Sequence, residues 1–180
     1  MKQQTIRFLY KGILLISCTM VWLFGCTTSS GVSSATLLSY RQNPFSCDIT
    51  VSTGSLEPQT YHMIHGQEDS FALRLPAYDE SFTITTDGTE ATLTLGDLQM
   101  PLELNDTRGI GLIRRLMIGD PPENDIRVDV KEENGCSYYM LRDQTAEFLF
   151  DMDTGNPERI TYNGEQETTV ILVENLSFLP

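Results

Sequence analysis

The sequence predicts an α+β protein built on a strongly curved antiparallel sheet, an open half-barrel with two short helices in or over its concave face. Three observations predict this fold. From residue 45 onward, apolar and polar residues alternate in short segments, as in strands with one buried face. Turn residues such as Asp87-Gly88 and Asn163-Gly164 separate the segments. One apolar segment with helical spacing, residues 107–118, interrupts the strands and favours a half-barrel over a closed barrel or a sandwich.

The chain divides into three parts. Residues 1–25 have a basic start and then an apolar run, 12–24, which is too short to read comfortably as a spanning helix and is typical of a secretory signal. Residues 26–34 begin with Cys26 and continue as a small, polar tether. Residues 35–180 are expected to form a single domain, long enough to bury a core.

The domain is expected to begin with a short helix and to continue as strands. Ser34 would cap a helix over residues 35–41, and Pro44 excludes further helix. Ten or eleven strands follow, of which the first six are expected to form an antiparallel meander. The predicted strands are residues 45–52, 61–65, 71–75, 82–84, 91–95, 98–104, 126–130, 136–141, 146–150, 158–162 and 168–173.

The charge of the domain argues against several partners. All 25 acidic residues but only 9 of the 12 Lys and Arg residues follow residue 25, which leaves that part with a formal charge of −16. Such a surface would repel nucleic acid and would not lie flat on anionic lipid. The negative charge either keeps the domain soluble or forms an acidic surface that binds a partner.

The sequence contains few residues that could act in catalysis or bind a metal. Gly-x-Ser-x-Gly and glycine-rich phosphate-binding motifs are absent from the sequence. His62 and His65 are three residues apart on a strand, so they would point to opposite faces and would not share a metal. The acidic segment 151–155, with Glu158, lacks the spacing of an EF-hand and is better explained as a turn. We therefore predict that the protein is not an enzyme and uses no metal or cofactor.

The two cysteines of the domain allow two interpretations. In an exported chain, Cys47 and Cys136 could form a disulfide. The alternative is a pair of buried free thiols.

Apolar strand and helix residues are the candidates for ligand binding. They would line the concave face either of a ligand cavity or of a filled core, and close packing makes the filled core the default. The basic pair Arg114-Arg115 would either meet a head group or an acidic partner at the cavity mouth, or form solvated ends of a core helix near acids such as Asp120. The candidate set is Phe45, Ile49, Val51, Phe71, Leu73, Leu93, Leu95, Met100, Leu102, Ile113, Arg114 and Met117.

Two sets of residues resemble known families. The sequence Leu23-Phe24-Gly25-Cys26 resembles the lipobox of bacterial lipoproteins, which implies removal of residues 1–25 and lipidation, with palmitate among the acyl groups, of Cys26. The strand Phe-x-Cys-x-Ile-x-Val at 45–51, the segment 70–76 with the turn and strands after it, and the turn Asp151-x-Asp-Thr-Gly-Asn-Pro157 resemble the LolA/LolB superfamily of lipoprotein carriers and receptors. That superfamily also resembles clostridial germination lipoproteins of the GerS type.

The resemblance implies an open half-barrel whose apolar concave face is closed by helices and, in the carriers, holds acyl chains. The protruding apolar loop of LolB has no counterpart that we can locate, and the only tryptophan, Trp22, lies in the signal. The predicted function is that of a lipoprotein anchored at the extracytoplasmic face of the cell membrane, which binds a lipid or an acylated protein. The alternative is a non-catalytic lipoprotein whose surface binds and regulates an exported cell-wall or germination protein.

Overall fold

The computed structural model describes residues 31–66, 70–75, 82–87, 90–104, 109–119 and 126–180. In these residues two helices, α1 (Ser34–Leu38) and α2 (Gly109–Ile118), and a 3₁₀ turn (Ser39–Gln42) accompany eleven strands. No helix in this part of the chain is long and apolar enough to cross a membrane. The strands are β1 (Phe45–Thr53), β2 (Gln59–His65), β3 (Ser70–Arg74), β4 (Phe82–Asp87), β5 (Ala91–Leu95), β6 (Leu98–Leu102), β7 (Val128–Glu133), β8 (Cys136–Arg142), β9 (Ala146–Asp151), β10 (Pro157–Asn163) and β11 (Thr168–Phe178).

All eleven strands form one antiparallel sheet in the order β6-β5-β4-β3-β2-β1-β11-β10-β9-β8-β7. The chain thus builds two meanders, β1 to β6 and β7 to β11. They are joined where the first strand pairs with the last, from Phe45 opposite Phe178 to Thr53 opposite Thr169. Among the described residues β6 and β7 do not pair with each other, so the predicted open antiparallel sheet with two short helices is confirmed. Its strong curvature stays a prediction.

The start of the domain differs from the prediction by one residue. Ser33, not Ser34, caps α1, because the Ser33 hydroxyl accepts a hydrogen bond from the Thr36 N–H at 3.2 Å. The chain then tightens into the 3₁₀ turn and becomes extended at Asn43, as the residue before a proline prefers.

Several strand boundaries also differ from the prediction. The strand predicted at 126–130 runs from Val128 to Glu133, where it pairs with β8. The strand predicted at 98–104 ends at Leu102, opposite the start of β5. The last strand continues to Phe178, because the first residues of β1 supply partners for it. The Asp87-Gly88 turn lies partly outside the described residues, although β4 and β5 pair in the register that such a hairpin requires.

One face of the sheet is buried against the helices, and we call it the helical face. In β1, Phe45, Cys47 and Ile49 point into it and are at most 1% exposed. The Tyr40 ring of the 3₁₀ turn packs against Phe45, with 5.7 Å between ring centroids, and against Phe150, with 6.4 Å. These residues belong to one hydrophobic cluster that reaches both meanders and α2, so the centre of the helical face is a packed core.

Arg41 connects the 3₁₀ turn to the end of α2. Its guanidinium donates hydrogen bonds to the carbonyl oxygens of Leu116 at 2.7 Å and Gly119 at 2.9 Å. The last carbonyls of a helix have no partner within the helix, and a cationic donor there also complements the helix dipole. The same guanidinium lies over the Phe148 ring, 5.3 Å from its centroid. A buried cation thereby fixes α2 against the sheet.

A group of ion pairs joins strands of the second meander. Arg159 donates two hydrogen bonds to the Glu133 carboxylate, at 2.8 and 2.6 Å. Lys131 contacts Glu147 at 2.9 Å, and Arg142 also donates to Glu147. Hydrogen bonds from Arg159 lower the pKa of Glu133 from 4.5 to about 2.

Candidate functional site

A cleft of about 760 Å³ opens at one end of the sheet. It lies between the first residues of α2 and two neighbouring hairpins, β1–β2 and β10–β11. The hairpins meet there because Thr53, the last residue of β1, is paired with Thr169 near the start of β11, and their hydroxyl oxygens are 3.1 Å apart. The volume falls within the range of about 300–1,000 Å³ that is usual for small-molecule sites.

The floor of the cleft is apolar and continuous with the core. Leu112 and Ile113 of α2 line it and are each 3% exposed. Val51 of β1 and Ile110 of α2 also line it and pack against the core cluster. An apolar ligand segment lying there would therefore contact hydrocarbon on both its helix side and its sheet side.

Two tyrosines flank the floor. Tyr61 of β2 and Tyr162 of β10 line the cleft and are half-buried. Burial raises the pKa of the Tyr61 phenol above its ordinary value of 10.0. The Arg115 guanidinium lies 5.0 Å from the centroid of the Tyr162 ring, a cation–π contact that occupies one side of that ring.

Three acidic side chains and one neutral amide form the mouth of the cleft, which we define as Glu57, Glu165, Gln166 and Glu167. All four are exposed, and they come from the two hairpin loops. The Gly54 N–H donates to the Thr168 carbonyl oxygen at 3.1 Å and ties the loops together. Gly54 has a φ of +55°, and a Cβ at this position would lie 3.1 Å from the Glu167 carboxyl carbon. The positive φ and the nearby Glu167 side chain both favour a glycine at this position.

The structure divides the candidate ligand-binding residues into groups. Val51 and Ile113 line the cleft. Five others, which are at most 3% exposed, lie in the packed core: Phe45, Ile49, Phe71, Leu73 and Met117. Leu93 and Leu102 pack against that core, whereas Leu95 and Met100 are 37% and 41% exposed at the β5–β6 end of the sheet. Most of the set therefore does not belong to the cleft.

The two arginines of α2 have different surroundings. Arg115 lies on the Tyr162 ring, behind the cleft. Arg114 is half-buried, and its Nε has no hydrogen-bond partner. Neither forms an ion pair with an acid among the described residues, and Asp120 lies outside them.

Several residues of the cleft were not predicted, namely Tyr61, Tyr162, Ile110, Leu112 and the three glutamates of the mouth. A usable signal existed for the tyrosines. Tyr61 is directly opposite Ile49 in the β1–β2 register, and Tyr162 is two residues beyond the buried Ile160. Each tyrosine therefore points to the same face of the sheet as a buried residue. The glutamates had no such signal, because only the pairing of β1 with β11 brings their loops together.

The cysteines are not bridged. Cys47 is buried on β1, whereas Cys136 is exposed at the start of β8, and three strands lie between them. The disulfide interpretation therefore fails, because its two Cα atoms would have to lie within about 7 Å. The alternative is correct only in part, since one thiol is exposed. Burial raises the pKa of the Cys47 thiol to about 12, which makes it unreactive.

The histidines lie on opposite faces. The His62 ring Nδ1 is 2.8 Å from the Asp48 carboxylate on the outer face, and hydrogen bonds from Asn175 and His62 lower the pKa of Asp48. His65 is buried on the helical face, where its Nε2 is 3.1 Å from the Arg41 carbonyl oxygen. Within the described ranges, no group of three or more His, Cys, Asp or Glu side chains could hold a metal.

The Asp151 segment is a turn. The Asp151 carboxylate accepts hydrogen bonds from the backbone N–H and the hydroxyl of Thr154, both at 2.7 Å. Gly155 has a φ of +72°, and its N–H donates to the Asp151 carbonyl oxygen at 2.9 Å. The carboxylate thus stabilises its own loop, and these hydrogen bonds lower its pKa.

Comparisons with known proteins give likenesses of shape only. No protein-family model and no curated protein sequence matches the chain. A LolA superfamily protein, NE2245 from Nitrosomonas europaea, is similar with a TM-score of 0.49 and 10% identity, over 83% of this chain and 95% of that one. MucB is similar with a TM-score of 0.44 and 17% identity, over 85% of this chain and 59% of that one. LprF from Mycobacterium bovis is similar with a TM-score of 0.40 and 9% identity, over 77% of this chain and 88% of that one.

Proposed function

We propose that the protein binds the apolar part of a lipid or an acylated protein in the cleft, without catalysing a reaction. The observation that carries the proposal is a cleft of about 760 Å³ whose floor is hydrocarbon from α2 and β1. Covering such a floor with an alkyl chain removes apolar surface from water, which is worth about 25 cal/mol per Å². The mouth is polar, so an amphiphile could keep its head group in water.

We further propose that the protein is a lipoprotein held at the extracytoplasmic face of the cell membrane through Cys26. The lipobox-like residues 23–26 and the small, polar tether after them support this proposal. A lipid anchor would place the cleft close to a source of acyl chains. Metabolic labelling with an alkyne-bearing palmitate analogue, compared between the wild type and Cys26→Ser, tests the anchor.

The test of the cleft uses photocrosslinking of the full chain in phosphatidylcholine vesicles. A single-chain amphiphile with a diazirine in its alkyl chain is added, irradiated and mapped by peptide mass spectrometry. We expect adducts on peptides that contain Val51 or the first turn of α2. The Ile110→Trp variant fills the cleft and should reduce these adducts several-fold, whereas Leu172→Trp, on a residue 42% exposed, should not. Far-UV circular dichroism establishes that both variants are folded.

Adducts that are spread over the surface, or that Ile110→Trp leaves unchanged, would contradict the proposal.

A second function, binding to an exported cell-wall or germination protein, is favoured by one observation. Leu98 and Met100 on the outer strand β6 are 54% and 41% exposed. Exposed apolar side chains on an edge strand are typical of a protein-binding edge. Adducts concentrated on the β5–β6 hairpin would favour that function over the cleft.

A further inference from the structure

We infer that the cleft selects amphiphiles with a positively charged, amine-bearing head group and disfavours anionic ones. This inference rests on the proposed binding of an apolar chain by the cleft and adds the chemistry of the head. Among the described lining residues, the floor of the cleft is apolar and the mouth is polar. A ligand whose chain lies on Ile110 and Ile113 would therefore leave its head among the side chains of the two hairpins.

The formal charge at the mouth has one sign. Among the described residues that line the cleft, Glu57, Glu165 and Glu167 carry carboxylates, and no lysine, arginine or histidine is present. None of the three carboxylates forms an ion pair with a base in the described part of the chain. Their charge is thus not neutralised by a neighbouring side chain.

The positive end of the α2 dipole offsets the negative charge of the mouth carboxylates only weakly. Gly109 and Ile110 line the cleft, so the N-terminal end of the helix faces it. The dipole of a helix is equivalent to about half a positive charge at that end. Three carboxylates exceed this contribution about sixfold, and the mouth stays attractive to cations.

The aromatic side chains favour the same head groups. Tyr61 and Tyr162 flank the floor, and the face of a tyrosine ring attracts ammonium and guanidinium groups. The Arg115 guanidinium already occupies one side of the Tyr162 ring at 5.0 Å, so the aromatic attraction for a cationic head comes mainly from Tyr61. An ammonium head would meet carboxylates at the mouth and aromatic rings just inside it.

The experiment compares three diazirine amphiphiles that share one alkyl chain and differ in the head, which is trimethylammonium, maltoside or sulfate. The full chain in phosphatidylcholine vesicles is crosslinked with each at low ionic strength. We expect the trimethylammonium probe to label the cleft at least tenfold more than the sulfate probe, with the maltoside probe between them. Because exposed charges are screened within about 8–10 Å at 0.1–0.15 M salt, the ratio should fall in 0.5 M NaCl.

Two variants distinguish the effect of the carboxylates at the mouth from the effect of the overall negative charge of the protein. Glu57→Gln/Glu165→Gln/Glu167→Gln removes the three carboxylates and should bring the labelling ratio close to one. Glu103→Gln/Glu132→Gln/Glu174→Gln removes the same charge from exposed positions elsewhere and should keep the ratio of the wild type. Equal changes in both variants would overturn the inference, as would equal labelling of the wild type by the sulfate and trimethylammonium probes.

The maltoside probe distinguishes failure of the inference about the head group from failure of the proposed binding of alkyl chains. If maltoside labels the cleft and Ile110→Trp abolishes that labelling, the cleft binds alkyl chains whatever the outcome for the charged heads. If no probe labels the cleft, the proposed function itself is wrong.

Discussion

Arg41 and Leu116 are 75 residues apart in the chain and are joined by a buried hydrogen bond of 2.7 Å from the guanidinium to the carbonyl oxygen. The bond closes the C-terminal end of α2 with a side chain from the 3₁₀ turn. The same α2 contributes residues to the cleft at its other end. The position of the cleft floor therefore depends on a contact at the far end of the helix.

Replacing Arg41 with alanine should destabilise the protein by about 2–4 kcal/mol, because it leaves buried carbonyls unpaired and removes a packed side chain. Urea unfolding followed by circular dichroism measures the change. The matched control is Arg74→Ala, since Arg74 is exposed on β3 and its loss should change the free energy of unfolding by less than about 0.5 kcal/mol. Equal effects of the two substitutions would contradict the capping role.

Leu73 and Leu95 were both predicted to bind ligand, yet they are 0% and 37% exposed. Leu73→Ala should cost about 2–5 kcal/mol, because it leaves a cavity in packed surroundings, whereas Leu95→Ala should cost less than about 1 kcal/mol. Urea unfolding of the two variants measures both values. A loss below about 1 kcal/mol for Leu73→Ala would indicate that Leu73 borders an open space and not the core.

The two domain thiols should differ strongly in reactivity. At pH 7.5 iodoacetamide should modify Cys136 within minutes to hours and should leave Cys47 unmodified until the protein is unfolded in urea, because Cys47 is buried and its pKa is raised to about 12. Peptide mass spectrometry assigns the modified residue. A peptide pair linked by a Cys47–Cys136 disulfide under non-reducing conditions would show that the prediction is wrong.

Glu133 should contribute to unfolding in acid. Its pKa is lowered from 4.5 to about 2 in the folded state, so its stabilising contribution is complete above pH 4.5 and is lost as the pH falls through about 2. Glu133→Gln should therefore lower the urea midpoint at pH 7, and the difference from the wild type should shrink toward pH 2. Glu132→Gln, at an exposed neighbouring residue outside the ion pairs of the described chain, is the control.

Much of the fold could be predicted because its causes are local. Alternation in a segment such as Phe45–Thr53 indicates which face of the strand is buried, and a turn such as the one at Asp151 is stabilised by hydrogen bonds among its own residues. The cap of α1 was missed by one residue, since Ser33 and Ser34 are chemically equivalent and only the backbone geometry chooses between them.

The site was predicted less well because it is built from contacts distant in sequence. Periodicity identified Phe45 and Val51 alike as apolar positions of one strand, yet the first is in the core and the second lines the cleft. Their difference depends on where α2 covers the sheet, and the Arg41 hydrogen bonds to Leu116 and Gly119 help to determine that position.

The sequence by itself determined the antiparallel strands, their buried faces, the two short helices and the acidic charge, because each depends on neighbouring residues or on composition. Only the tertiary structure decided that β1 pairs with β11, that α2 is closed by Arg41, and that three glutamates from two hairpins form the mouth of a cleft. These contacts join residues up to about 130 positions apart. Such contacts leave no periodic pattern along the chain and form only when the whole sheet is assembled.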